Sequence, residues 1–576
     1  MSSLSALCDS KGKVKTLVFT PSSVDHKHTV CALNGARPQK DDTIHFSPEP
    51  HFIGEVRQRF PGIELDATVL DWYDEYQTSL QQQSQIVASS HTNSTDFGSL
   101  LYNSELRPYQ RAGIQWLNSH EDGAILGDPT GMGKTVQLLS VCELIQAKRV
   151  LVISPSYVKY QWGDQITRWL GITPVICEGE TPKRRKQVQT FLSSDSRYLV
   201  VNIEMLRTYP NRYYDNKHAK AGQQAPCAIP ELWQAQWDVV IVDEAHGIHD
   251  RNSLQSKGVK ALKRKRLYLA TGTPVWDMAD DIWNLLHILE PKRFSSYWNF
   301  ARMYCKIEKL WNGIEQVVGR REDRLDAFRE TITPYVLARD KREFLPDLPL
   351  LIHKQWWYDA SPKQRELTRT LKKKMRLELT SGDIKVFDSV ASEISTLRML
   401  LSAPEMVGVD IETPKDSLMM SLLADLLLET DRVLIACWFK DHAKHIAQLC
   451  AKEGIAHTVV DGDLSQSQRR TEIQRFRQGK VAVLIGTIAS FGQGIDMQEC
   501  NHCIVADADW TPTVMTQLYG RLDRFGQQLP PVFHRLICRK SIEQAIYEVE
   551  RDKGAQANEI LALQAVYEHY LQLEDL

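Results

Sequence analysis

At 576 residues the chain is past the size at which one hydrophobic core stops growing, so two or three domains are expected. Apolar residues make 43% and charged residues 25% of it, which excludes a disordered or fibrous chain; a formal charge of −2, from 70 Lys and Arg against 72 Asp and Glu, excludes a global basic excess as the means of binding nucleic acid. The 11 cysteines are scattered, Met1–Thr20 has no basic start before a long apolar run, and no apolar stretch reaches the roughly 18 residues a membrane span needs. An intracellular protein without a membrane partner is therefore expected, in the cytoplasm if prokaryotic or viral and in the nucleus if eukaryotic.

In chain order, Thr16–Thr20 and Thr43–Phe46 read as short strands and Asp66–Tyr76 as a short helix, giving a small N-terminal accessory domain over 1–76. Gln77–Ser99, rich in Gln, Ser, Thr and Asn, lacks sustained periodicity and is predicted to be a polar linker over 77–99. From Leu106 onward, Arg149–Ile153, Tyr198–Val201, Val239–Val242 and Arg266–Ala270 are strand-like runs separated by helical patterns, the signature of a parallel sheet covered by helices. This first lobe is placed at 100–345. The pattern returns after the proline-marked Leu345–Leu350, with Val433–Cys437, His457–Val460, Ala482–Ile485 and Cys503–Ala506 as strands of a second lobe within 346–576. Ser361–Leu401 is a helical insertion whose first half is basic, at Lys372–Lys374. The fold class is α/β, two lobes in tandem. Cys500 and Cys503 form one C-x-x-C, which without a second pair reads as a loop entering a strand rather than a zinc site.

Apolar Ala124–Leu126 leads into Gly127-Asp128-Pro129-Thr130-Gly131-Met132-Gly133-Lys134-Thr135 and then the helical run Val136–Gln146. In that context Gly131 and Gly133 let backbone N–H groups approach phosphate, the helix N-terminus adds positive potential, Lys134 reaches the β- and γ-phosphates, and Thr135 can ligate magnesium. Asp128 stands where the strict phosphate-loop pattern has glycine. The strand Val239–Val242 delivers Asp243-Glu244-Ala245-His246 at its C-terminal end, where parallel sheets place ligand chemistry. Asp243 would hold the magnesium, and Glu244 would orient or deprotonate the attacking water.

Together these residues resemble helicase superfamily two and, within it, the Swi/Snf-type ATPases, over roughly Leu106 to Leu561. Leu106-Arg107-Pro108-Tyr109-Gln110 is similar to the family's adenine-reading motif, with Gln110 as the base contact. Ser154-Pro155-Ser156 with Gln161-Trp162 resembles a DNA-tracking segment, Asn202–Leu206 follows it, and Thr271-Gly272-Thr273-Pro274 resembles the motif that couples hydrolysis to lobe movement. In the second lobe, Asp461-Gly462 with Gln468–Arg470 resembles a further family element. Gly492-Gln493-Gly494-Ile495-Asp496 resembles the motif touching both DNA and nucleotide, with Gly494 and Asp496 as nucleotide contacts. Gln517-Leu518-Tyr519-Gly520-Arg521-Leu522-Asp523-Arg524-Phe525-Gly526-Gln527 carries the family's paired arginines and terminal Gly-Gln.

The resemblance implies two tandem RecA-like lobes with ATP between them, ATP and Mg2+ as cofactors, and Arg521 and Arg524 neutralising charge on the transferred phosphoryl group. It implies an ATP-dependent translocase gripping the phosphate backbone of double-stranded DNA without regard to sequence, with a protein partner supplying its targeting. A strand-separating DNA or RNA helicase shares the same ATP chemistry, and a nucleotide-gated DNA-binding adaptor would use it only to clamp. Lys183–Lys186, Arg207–Arg212, Lys263–Arg266 and Lys372–Lys374 are basic clusters that either touch phosphate or form solvated faces.

Overall fold

The computed structural model describes residues 2–8, 14–31, 37–46, 53, 56–57, 59–98, 100, 102–156, 158–208, 228–272, 279–309, 315–370, 386–409, 411–492, 497–509, 512–524, 526–553, 566, 569–570 and 572–573. The chain divides into two compact units, Met1–Phe344 and Leu345–Leu576. Among the described residues no helix is long and apolar enough to cross a membrane.

The first unit is built on a seven-stranded sheet ordered Val336–Leu337, Gly123–Leu126, Arg264–Ala270, Trp237–Val242, Val150–Ser154, Tyr198–Asn202 and Val175–Ile176. Every pairing in it is parallel. Alternation along each strand divides the apolar side chains between two cores: Leu151, Ile153, Val240, Val242, Leu267 and Leu269 enter one, and Val150, Val152, Val239, Ile241, Tyr268 and Ala270 the other. Because Gly123–Leu126 pairs with Arg264–Ala270 and not with the next strand in sequence, the loop after Leu126 lies beside the loops after Ala270 and Val242. This is the topological switch at which parallel sheets bind ligands.

A separate five-stranded sheet precedes it, ordered Arg37–Pro38, Ile44–Phe46, Val14–Thr20, Ser3–Cys8 and Glu64–Leu65, with its own core around Phe19, Ile44 and Phe46. The expected linker is corrected here. Residues 77–88 belong to one 22-residue helix, Ala67–Ala88, whose start is capped by Asp66 accepting from the Thr68 N–H at 2.6 Å. Its inward stripe is Val69, Tyr73, Tyr76, Leu80, Gln83 and Val87, spaced alternately four and three residues apart. Gln83 takes an inward place and hydrogen-bonds His120 (3.2 Å), so the stripe reads as polar where it is in fact packed. Residues 89–98 are also pinned, with Asn93 donating to Gln115 (2.6 Å) and Arg111 donating to the Thr95 carbonyl.

The second unit holds a six-stranded, wholly parallel sheet ordered Ile352–Tyr358, Val532–Cys538, His502–Val505, Val433–Cys437, Val483–Thr487 and His457–Val460. Its two outermost strands on one side were not expected. Val532–Cys538 carries His534 and Arg535 in its middle; Arg535 is buried against Glu550, which breaks the apolar run that would have marked a strand. The predicted helix Ser361–Leu401 is helical over 362–370 and again as Val386–Ser402, while Lys372–Lys374 lie outside the described residues. Both units thus have the helix-flanked parallel α/β architecture expected of RecA-like lobes.

Candidate nucleotide site and its supports

Strand Gly123–Leu126 is wholly buried and ends in the glycine-rich loop. Gly131 (φ +91°) and Gly133 (φ +77°) adopt the left-handed backbone, and Gly133 caps the helix Lys134–Leu144. A Cβ at Gly133 would lie 2.5 Å from the movable Gln110 Nε2, and it is the left-handed φ that favours glycine there. Met132 is buried, and its carbonyl accepts from the Tyr109 hydroxyl (3.2 Å) and from Gln110 Nε2 (3.3 Å). Gln110 Oε1 in turn accepts from the Arg107 N–H at 3.0 Å, which fixes the amide at the lip of the loop. The Lys134 ammonium donates to the Asp128 carbonyl at 2.7 Å, and Thr135 follows it in the first helical turn.

Asp243 and Glu244 emerge from strand Trp237–Val242. The Asp243 carboxylate accepts from Trp162 Nε1 (2.7 Å) on one oxygen and from the Glu244 N–H (3.0 Å) on the other. Burial, then the adjacent Glu244 charge, pushes its acid up to about 6, against the pull of the Trp162 hydrogen bond and the Lys134 ammonium. Glu244 sits at φ +50°, a left-handed backbone unusual for a side chain with a Cβ, and its carboxylate lies 3.2 Å from His246. Thr271, wholly buried, donates its N–H to the Leu126 carbonyl at 3.1 Å, and a Cβ on Gly272 would meet Thr130 Cγ2 at 2.8 Å and Lys134 Nζ at 3.4 Å.

The structure therefore brings Gly131, Gly133, Lys134, Thr135, Asp243 and Glu244 together at the C-terminal ends of strands Gly123–Leu126 and Trp237–Val242, which flank Arg264–Ala270, with Gln110 reaching Gly133 from helix Pro108–Asn118. Two adjacent carboxylates, one with a raised proton affinity, are a setting that a divalent cation relieves, so Asp243 fits magnesium. Among the described residues no group of three or more His, Cys, Asp or Glu could hold a metal alone, so phosphate oxygens and water would complete its shell.

Arg521 lies in the second unit near the end of helix Pro512–Leu522 and is 6% exposed; Arg524 sits in the turn just after it. Gln527 locks that turn. Its N–H donates to the Arg524 carbonyl (3.0 Å) and its Nε2 to the Cys500 carbonyl (3.0 Å). Arg469 donates to the Ser490 carbonyl, and Thr487 Oγ1 to Ser490 Oγ at 2.8 Å. Gly494 and Asp496, as well as Thr273 and Pro274, lie outside the described residues.

In two of the basic clusters some side chains are paired within the fold. Lys183 pairs with Glu178 (2.8 Å) and Arg185 with Glu231 (2.8 Å), while Lys265 pairs with Asp238 (2.7 Å) and Arg264 donates to the Ile288 carbonyl (2.8 Å). Lys263–Arg266 also stands at the start of its strand, the edge opposite the glycine-rich loop. Arg207 and Thr208 are described, whereas 209–227 lie outside the described residues.

Sequence reading missed Arg339. It follows strand Val336–Leu337, is buried, and donates to both oxygens of Asp128, to Gln137 Oε1 (2.9 Å) and to the Tyr109 carbonyl. The signal that could have found it was Asp128 itself, a carboxylate in a glycine position that needs a buried cation. Sequence reading also missed the bond from Trp162 to Asp243.

The SNF2-related domain model matches residues 109–406, and the helicase conserved C-terminal domain model matches 415–526. An uncharacterised ATP-dependent helicase of Mycoplasma genitalium is 24% identical over 459 residues, covering 78% of this chain and 41% of the relative. The chromodomain-helicase-DNA-binding protein 1-like of Danio rerio is 25% identical over 465 residues, covering 77% of this chain and 42% of the relative. This chain thus spans about two fifths of the length of those two relatives. A Sulfolobus solfataricus SWI2/SNF2 ATPase core solved in complex with dsDNA aligns with 81% of this chain and 95% of its own, at 22% identity and a TM-score of 0.37. The SNF2-related model covers more than half of the chain, and the residues it spans include the glycine-rich loop and the paired carboxylates: the chain belongs to the SNF2-related family.

Proposed function

We propose that this chain is a DNA-dependent ATPase that translocates along double-stranded DNA and remodels DNA structures or protein–DNA complexes. The observation that carries the reading is the convergence of Lys134 and Thr135, of Asp243 and Glu244, and of Thr271 and Gly272 at adjacent strand ends. Lys134 and the backbone of Gly131–Gly133 bind the phosphates, Gln110 reads the base, and Thr135 with Asp243 holds Mg2+. Bound Mg2+ supplies charge neutralisation on the phosphate oxygens. Glu244 orients the attacking water, and Arg521 and Arg524 neutralise charge on the transferred phosphoryl group. Gly494 and Asp496 complete the nucleotide contacts. Targeting is left to a protein partner.

ATPase rates with duplex, forked and single-stranded DNA and with RNA test the reading, together with ATP-dependent displacement of a third strand from a DNA triplex. Duplex stimulation that falls steeply with salt, with triplex displacement, supports translocation. The relatives' name of helicase favours strand separation as the alternative, which efficient unwinding of forked substrate would establish instead. Hydrolysis with duplex DNA but no displacement of either kind would favour a nucleotide-gated clamp.

A further inference from the structure

Trp162 lies on helix Lys159–Leu170, which follows strand Val150–Ser154, the neighbour of the strand that delivers Asp243. Its side chain is almost wholly buried, and its only polar atom is spent on Asp243 Oδ2 at 2.7 Å. The other oxygen accepts from the Glu244 N–H at 3.0 Å, and the Asp243 N–H is tied to the Ile153 carbonyl at 2.8 Å. Indole nitrogen is a donor without acceptor capacity, so the direction of the bond is fixed. The carboxylate is thus held by a donor from its own chain turn and by a second that arrives from the adjacent strand's helix. Filling the space between helix and sheet would need only an apolar ring; the N–H is an addition to that role.

We infer that Trp162 is a positioning residue for the metal of the nucleotide complex: its indole N–H holds the Asp243 carboxylate in the orientation that receives the cation. The inference rests on the proposed assignment of Asp243 as the metal-holding residue. A hydrogen-bonding partner of a metal ligand contributes by fixing that ligand's orientation, and its loss weakens metal binding by about 10-fold to 100-fold.

The test compares wild-type protein with Trp162→Phe and with protein carrying 3-benzothienylalanine at position 162, which keeps the bicyclic ring and replaces the N–H by sulfur. Mn2+ binding in the presence of a non-hydrolysable ATP analogue is followed by electron paramagnetic resonance. Affinity for the same analogue is measured in EDTA as a reading of the fold and the phosphate loop. Both variants are expected to bind Mn2+ about 10-fold or more weakly with unchanged affinity in EDTA, and to need correspondingly more Mg2+ for half-maximal hydrolysis. Normal Mn2+ affinity in the sulfur isostere overturns the inference, even if Trp162→Phe is impaired, because the ring alone then suffices. Wild-type protein that holds no Mn2+ beside the analogue overturns the Asp243 assignment, and the inference with it.

Discussion

Arg339 pairs with Asp128 at the root of the glycine-rich loop, and the two side chains are 2% and 0% exposed. The pair joins the loop to the strand Val336–Leu337, and through Gln137 and the Tyr109 carbonyl to two helices. A buried ion pair adds little stability over an apolar pair, but removing one partner strands a charge at a cost of roughly 3–5 kcal/mol. Asp128→Gly restores the strict phosphate-loop pattern, yet it should weaken nucleotide binding and lower the denaturation midpoint of the first unit. Titration with a fluorescent ATP analogue and urea unfolding measure both. Unchanged affinity in Asp128→Gly would show that the pair is irrelevant to the loop.

On the proposed chemistry, Lys134→Ala and Glu244→Gln both abolish hydrolysis but differ in binding. Lys134→Ala loses nucleotide affinity, while Glu244→Gln keeps ATP bound and lowers turnover by roughly 100-fold or more. Filter retention of labelled ATP alongside steady-state rates separates the two, and near-normal turnover in either variant would remove the residue from the site.

Gln527 holds the turn that carries Arg524, through Cys500 and the Arg524 carbonyl. Gln527→Ala should therefore act as a milder Arg524→Ala, lowering DNA-stimulated kcat by roughly 10-fold to 100-fold through misplacement of the guanidinium. ATP affinity, which depends on the loop of the first unit, should stay near wild type. Parallel loss of affinity and rate would point to general damage.

The second unit encloses Lys415, Asp507, Glu543 and His442 in one buried cluster, with Lys415 Nζ 2.9 Å from Asp507 and 2.5 Å from Glu543, and His442 Nδ1 2.5 Å from Asp507. Burial alone would raise the Asp507 acid, but His442, Lys415 and Ser402 hold it well below its ordinary 3.8. Burial likewise opposes the Lys415 ammonium, but Asp507 and Glu543 hold it above its ordinary 10.5. A depressed acid contributes stability that is complete above 3.8 and lost as pH falls through the folded value. A raised lysine contributes stability that is complete below 10.5 and lost as pH rises through its folded value. The contribution of Asp507 and Lys415 is thus flat across neutral pH and falls at both ends. Urea midpoints between pH 3 and 7 should drop on the acid side in the wild type and flatten in Asp507→Asn, although that variant starts from a lower plateau.

By itself the sequence determined the parallel α/β character of both units and the strands at their centres. Val239–Val242 and Val433–Cys437 are continuous apolar runs of strand length, and such runs arise where both faces of a strand are buried. It also determined the glycine-rich loop and the Asp243-Glu244 pair, because phosphate binding demands local backbone freedom and a fixed spacing that one short segment carries whole. Tertiary structure alone decided what supports them. Arg339 lies 211 residues from Asp128 and Trp162 lies 81 from Asp243, and no local period records a contact between side chains so far apart in the chain. The same holds for strand Val532–Cys538, whose buried Arg535 is acceptable only because Glu550 meets it, and for helix Ala67–Ala88, where Gln83 replaces an apolar residue only because His120 lies opposite. A buried polar group is stable when its partner is present, and that partner is set by the fold rather than by the neighbouring sequence.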